Sequence, residues 1–175
     1  MLEKWGARTN LTGHRTAEGI VRRLILDAAA LVVQLPSFSS LNDLGSGAGF
    51  PGLPIAILRP AAEVLLVESR ARREHFQRAV VRELSLTAVS TIKGRMEEVS
   101  PRLAEVTIAQ AVAPPSRVLE WMLPWAVPGG LIVIPGAEAA PQIRSHPRVR
   151  DIRVAHYRVP LGGPERTLWL ARRVE

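Results

Sequence analysis

The 175-residue chain has no cysteine. That excludes disulfide bonds, thiolate metal ligands and a cysteine nucleophile. No apolar run approaches the roughly 20 residues a membrane-spanning helix needs. Leu24 to Leu35 is too short, and Ala111 to Pro128 is broken by proline. The N-terminus lacks the basic, apolar, small-residue order of a secretory signal, so a cytoplasmic location is expected. There is no internal repeat and no low-complexity tract. Lysine is nearly missing, at Lys4 and Lys93 alone, so the positive charge comes from arginine.

At 47% hydrophobic, the chain is long enough to bury a full core. One domain over residues 1–175 is expected, with a short helical segment at 1–40 and a ligand-binding sheet domain at 41–175. The net charge of +7 is unevenly spread. Residues 41–140 carry 10 basic and 10 acidic side chains, residues 1–40 carry 5 and 3, and residues 141–175 carry 8 and 3. Basic ends around a neutral middle suggest a polyanion laid across one edge of the domain. Arg8, Arg22, Arg23, Arg144 and Arg148 are the candidates to meet phosphates.

The most informative stretch is Leu41 to Gly52, where a short apolar segment breaks into four glycines within eight residues. An apolar run, Leu53 to Leu58, follows, with Pro51 and Pro54 where the first turn of a helix tolerates them. Strand, glycine turn and helix start are how α/β folds bind nucleotide-like ligands. Glycine lets the backbone approach the ligand, and the helix start offers free amides.

Before this stretch, Thr16 can cap a helix in which Ile20, Val21, Leu24, Ile25, Ala28, Leu31 and Val32 recur at helical spacing. After it, Glu63 to Glu68 reads as a buried parallel strand closed by an acid. A helix follows with a stripe of Phe76, Ala79, Val80 and Leu84. Further strands are expected at Ala88 to Lys93, Val106 to Ala113 and Leu131 to Ile134, with a helix from Arg117 to Trp125 and a turn at Pro128-Gly129-Gly130. Ile152 to Val159 and Thr167 to Arg172 form an antiparallel hairpin. The alternation predicts a mostly parallel sheet with helices on both faces and a ligand outside the carboxyl ends of its strands. Gly45, Glu68, Gly94 to Glu97, Gln110 and Pro135 all fall at or near those ends.

Two registers of the glycine stretch compete. Gly47 to Gly52 fits the G-x-G-x-x-G dinucleotide pattern, with Glu68 placed for a ribose. Read from Asp43, the same residues are D-x-G-x-G-x-G, the pattern of S-adenosylmethionine-dependent methyltransferases. The C-terminal hairpin favours the second, and Phe50-Pro51 obstructs amides that would face a pyrophosphate. Without cysteine, methylation at carbon five of a pyrimidine is excluded. Val112-Ala113-Pro114-Pro115 lacks the amide and aromatic typical of exocyclic amine methylation. A nucleophile with a free lone pair and no proton to lose, such as guanine N7, needs only positioning on the methyl axis.

Together these residues resemble the guanine-N7 methyltransferases of small-subunit ribosomal RNA, the glucose-inhibited division protein B family. The likeness runs through Trp5 to Thr12, Leu26-Asp27, Asp43 to Pro54 with G-F-P-G-x-P, Glu68-Ser69, Arg95 to Glu98, Ala111 to Ala113 and Pro128 to Gly130. It implies a Rossmann-like class I methyltransferase fold, a seven-stranded, mostly parallel sheet ending in an antiparallel hairpin. It also implies S-adenosylmethionine as cofactor and 16S ribosomal RNA or the small subunit as partner, with a monomer favoured and no metal. By that likeness Gly45, Gly47, Gly49, Phe50, Glu68, Met96, Glu97 and Gln110 hold the cofactor, Glu68 by its ribose and Met96 and Glu97 on the adenine side. Gln110 also shapes the transfer site.

The chain departs from the family pattern at Gln110, where the family has arginine, and at Pro135, where it has lysine. Leu24 and Ala28 replace a histidine and a serine, and only four residues precede Trp5, short of the family's usual N-terminal helix. Arginine to glutamine at a bidentate contact is not conservative. A catalytically impaired cofactor- or RNA-binding homologue is the alternative these departures raise.

Overall fold

The computed structural model describes residues 2, 5, 11–14, 16–136 and 140–175. The chain order is α1 (Ala17–Ile20), a π turn (Val21–Ile25), α2 (Leu26–Val33), β1 (Ser40–Leu44), α3 (Gly52–Leu58), β2 (Glu63–Glu68), α4 (Ala71–Glu83) and β3 (Val89–Lys93). It continues with β4 (Ala104–Ile108), α5 (Pro115–Met122), a 3-10 turn (Leu123–Trp125), β5 (Ala126–Gly136), β6 (Val149–Arg158) and β7 (Glu165–Arg173). The strands form one seven-stranded sheet in the order β3-β2-β1-β4-β5-β7-β6. β1 to β5 run parallel, and β7 and β6 are antiparallel. This is the expected Rossmann-like α/β sheet with its closing hairpin. Among the described residues no helix is long and apolar enough to cross a membrane.

Strand alternation divides the core into two layers. Val64 and Leu66 of β2 face a cluster with Leu31, Leu53, Ile55 and Phe76, so α2, α3 and α4 cover one side. Leu65 and Val67 face the other cluster, with Leu119, Met122 and Trp125 from α5 and the turn after it. Both faces are covered, which is why β2 reads as a continuous apolar run.

Several elements differ from expectation. The first helix is not one regular stripe. Thr16 caps it as expected, its hydroxyl accepting from the Gly19 amide at 3.1 Å. The π turn then shifts the helical phase, leaving Val21 and Ile25 exposed while Ala28, Leu31 and Val32 stay buried. β4 stops at Ile108, well short of Ala113, because Ala111 takes a positive φ of 53° and turns the chain off the sheet. β5, by contrast, is longer than Leu131 to Ile134. It takes in Pro128-Gly129-Gly130 as an irregularity, with Ala104 paired to Ala126 and Val106 to Leu131 on either side. It also runs on through Pro135, which sits past the end of β4, where the missing N–H has no strand partner to fail. Leu84 is an exposed C-cap rather than a core residue.

From β1 the chain moves outward to β2 and β3 and then crosses back to β4 on the other side of β1. The carboxyl ends of β1 and β4 therefore flank the switch point, and the glycine turn leaves from there.

Candidate functional site

Asp43 and Leu44 end β1, and Gly45 turns the chain with φ +74°. The Gly45 and Ser46 amides both donate to the Val67 carbonyl, at 2.8 and 3.0 Å, which ties the turn to β2. Asp43 lies underneath, 1% exposed, and its Oδ2 accepts from the Gly52 amide at 2.8 Å. Gly52 is required there, since a Cβ would fall 2.3 Å from Leu66 Cδ2 and 2.7 Å from Asp43 Oδ2. Burial pushes the Asp43 carboxyl up to about 7; the Gly52 N–H opposes the shift and the charge of Glu68 adds to it.

Glu68 closes β2 and is 4% exposed. Its Oε2 accepts from the Gly47 amide at 2.8 Å and its Oε1 from the Arg70 amide at 2.7 Å. One carboxylate thus holds the glycine turn to the start of α4. Each ionised oxygen accepts more than one hydrogen bond, so Glu68 retains acceptor capacity for a hydroxyl.

A small cleft of about 120 Å³ opens beside this turn, lined by Gly45, Ser69, Gly94, Met96, Glu97 and Val112 among others. Met96 is buried, and its carbonyl is fixed by the indole N–H of Trp125 at 3.1 Å. A Cβ on Gly45 would project into this cleft, 2.6 Å from Val112 Cγ2 and 3.5 Å from Met96 Cε. A glycine at this place keeps the cleft floor open to a ligand. Val112 is 37% exposed and leans over Gly45 from the loop after β4. Glu97 reaches Arg95 at 3.6 Å on the rim.

The structure therefore brings Gly45, Met96 and Glu97 to one cleft and places Gly47 and Glu68 against each other beside it. Three expected cofactor residues lie elsewhere. Gly49 is buried, with space for its Cβ filled by Leu53, so it packs the turn onto α3. Phe50 does not line the cleft; it joins Ala48, Leu53, Phe76 and Val80 around a separate apolar groove of about 360 Å³. Gln110 is exposed just beyond β4, and its side chain makes no hydrogen bond among the described residues.

Arg22 and Arg148 flank the edge strand β6, one at each end. Arg8 lies outside the described residues. Arg22 pairs with Glu18 at 2.9 Å and donates to the Leu161 carbonyl in the β6–β7 turn at 3.3 Å. Arg148 sits before the start of β6 and pairs with Glu120, which also meets His146. These partners hold the Glu120 carboxyl below its usual range, the His146 hydrogen bond most of all. Since β6 has ten residues, about 33 Å of strand separates the Arg22 and Arg148 ends. Arg23 and Arg144 are exposed, with no ion pair among the described residues.

Reading the residues alone missed several contributors. Ser46, Gln77, Val112 and Trp121 lie on or beside the turn and cleft. Gln77 had a faint signal, a polar residue one turn after Arg73 on the inner side of α4. Asp27 had a clearer one, an acid inside an apolar helix. Its Oδ1 accepts from Tyr157 Oη at 2.6 Å and its Oδ2 from Arg166 Nε at 2.9 Å, which fastens α2 to the hairpin. Burial, and then the Asp27 hydrogen bond, push the Tyr157 phenol upward.

The GidB family model, described as rRNA small subunit methyltransferase G, matches residues 1–168. The chain is 41% identical to the ribosomal RNA small subunit methyltransferase G of Salinispora tropica, over 83% of this chain and 64% of that protein. It is 35% identical to the protein of the same name from Mycobacterium marinum, over 96% of this chain and 78% of that one. The chain thus spans less than two thirds of the Salinispora protein it matches. Among solved structures it is similar to a SAM dependent methyltransferase from Aquifex aeolicus, with a TM-score of 0.63 and 17% identity, covering 89% of this chain and 93% of that one. It is also similar to the S-adenosylmethionine-dependent methyltransferase SibL, with a TM-score of 0.69 and 15% identity, covering 86% of this chain and 55% of that one. At those identities the structural likeness speaks for the fold.

Proposed function

The chain belongs to the GidB family, described as rRNA small subunit methyltransferase G, and we propose that it transfers a methyl group from S-adenosylmethionine to N7 of a guanine in 16S ribosomal RNA. The observation that carries this reading is the glycine turn at the switch point, with Glu68 clasped to the Gly47 amide and Gly45 open to the Met96 wall. The residues present suit the cofactor. Glycine backbone floors the cleft, the Glu68 carboxylate offers acceptors to ribose hydroxyls, and Met96 with Glu97 offers an apolar face and an acceptor to an adenine.

S-adenosylmethionine supplies the methyl group on an electrophilic sulfonium. Guanine N7 presents a lone pair and has no proton to lose, so the protein need not supply a general base. The chain's own task is then to position the acceptor and exclude water. Val112 stands in the way of a ligand lying against Gly45; being partly exposed, it can swing into solvent. Pro135 is buried in β5 and Gln110 points to solvent, so neither obstructs the cleft. Neither favours the impaired alternative. In this reading the chain works in the cytoplasm as a monomer. Arg23 and Arg144, free of acidic partners among the described residues, meet RNA phosphates, with Arg22 and Arg148 freed from Glu18 and Glu120 on contact.

The test is transfer of labelled methyl from S-adenosylmethionine to small ribosomal subunits, or their naked RNA, from cells lacking this modification. Label in N7-methylguanine is expected. Tight cofactor binding without label in either substrate would overturn the reading.

A further inference from the structure

Gln77 is fully buried, at 0% exposed, on the inner face of α4. Its Nε2 donates to Ser46 Oγ and to the Gly47 carbonyl, both at 2.8 Å. Ser46 Oγ in turn donates to the Val67 carbonyl at 3.3 Å. One amide thereby joins α4, the glycine turn and the end of β2. Its Oε1, however, is buried with no partner among the described residues. Phe76, Ala79 and Val80 around it on α4 are apolar. A buried amide oxygen without a donor is costly, whereas an apolar side chain of the same length would remove that cost but leave the Gly47 carbonyl without this donor, so the two effects oppose each other. Gln77 therefore adds little net stability, and its hydrogen bonds all fall on the glycine turn.

We propose that Gln77 is a positioning residue for cofactor binding, holding Ser46 and Gly47 in the conformation that Glu68 clasps before the ligand arrives. This rests on the reading that the turn binds S-adenosylmethionine. Gln77 touches no ligand itself; it acts through Ser46 and the Gly47 carbonyl. A turn already ordered loses less freedom on binding, so affinity rises without a new contact.

The test compares the parent with Gln77→Met, which keeps the length and removes both donors. S-adenosylhomocysteine is titrated by calorimetry, amide hydrogen exchange is read across residues 45–49, and thermal unfolding is followed. The dissociation constant should rise about tenfold, as expected when two positioning hydrogen bonds are lost. The turn amides should exchange faster, while the melting temperature stays within about 3 °C of the parent or rises. Ser46→Ala removes only the hydroxyl limb and should weaken binding by roughly threefold. The double variant should fall short of the product of the two effects, since both interrupt one chain of bonds. Should Gln77→Met fold poorly, Ser46→Ala still decides, and parent-like exchange in its turn overturns the proposal. Unchanged exchange in Gln77→Met overturns it too, whatever the cofactor does. A parent that binds no S-adenosylhomocysteine overturns the cofactor reading instead, and the exchange data still judge Gln77 as the turn's support.

Discussion

Asp43→Asn tests the electrostatics beneath the glycine turn. Asp43 is buried, its carboxyl is raised from 3.8 to about 7, and burial is the main cause. Between those values the unfolded chain carries an ionised Asp43 while the folded protein keeps the proton. The folded state then binds more protons, so stability falls as pH rises, by about 1.4 kcal/mol per unit, until pH reaches the folded value. From pH 5.5 to 7 that amounts to about 2 kcal/mol, an order-of-magnitude figure. Asparagine does not titrate, and its Oδ1 still accepts from the Gly52 amide. Urea unfolding of both proteins at pH 5.5 and 7.5 should show the variant gaining on the parent by about 2 kcal/mol. A difference independent of pH would refute the reasoning. It would mean that Asp43 is ionised in the folded protein throughout this range.

Two further substitutions probe the clasp and the hairpin anchor. In Glu68→Gln one of the two amide donors, Gly47 or Arg70, must face an NH₂ group. Calorimetry should show S-adenosylmethionine affinity falling roughly tenfold to a hundredfold, from the strained clasp and the lost charge-assisted acceptor; parent-like affinity would rule out the clasp. Asp27→Ala strands Arg166 and the Tyr157 hydroxyl at a largely buried site. Urea unfolding should register a loss of about 3–5 kcal/mol, and a loss under about 1 kcal/mol would mean the network is solvated like a surface pair.

β1 and β2 were legible because strand periodicity and glycine chemistry agree there, and β2 ends where the apolar run meets Glu68. The ends of β4 and β5 were not. Pro128-Gly129-Gly130 carries every local mark of a turn, yet pairing on either side of an irregularity keeps it within β5. The π turn at Val21–Ile25 was equally hidden, since Val21 and Ile25 fit a helical stripe and only the packing of α2 turned them outward. Gly45, Glu68, Met96 and Glu97 could be placed at the strand ends from the alternation of elements, whereas the cofactor roles of Met96 and Glu97 came from the family resemblance. Phe50 could be named too, but its direction is set by the apolar groove it helps to fill.

The sequence by itself determined the fold class, the place of the glycine turn and the absence of cysteine chemistry, because these follow from periodicity, glycine spacing and composition. Tertiary structure decided which side chains meet. Gln77 under the turn, Val112 over Gly45, Asp27 against Tyr157 and Arg166, and the acidic partners of Arg22 and Arg148 all depend on contacts between elements distant in the chain. The physical reason is the same for each. Local pattern sets an element's type and its buried face, whereas a hydrogen bond or an ion pair depends on where two such faces come to rest.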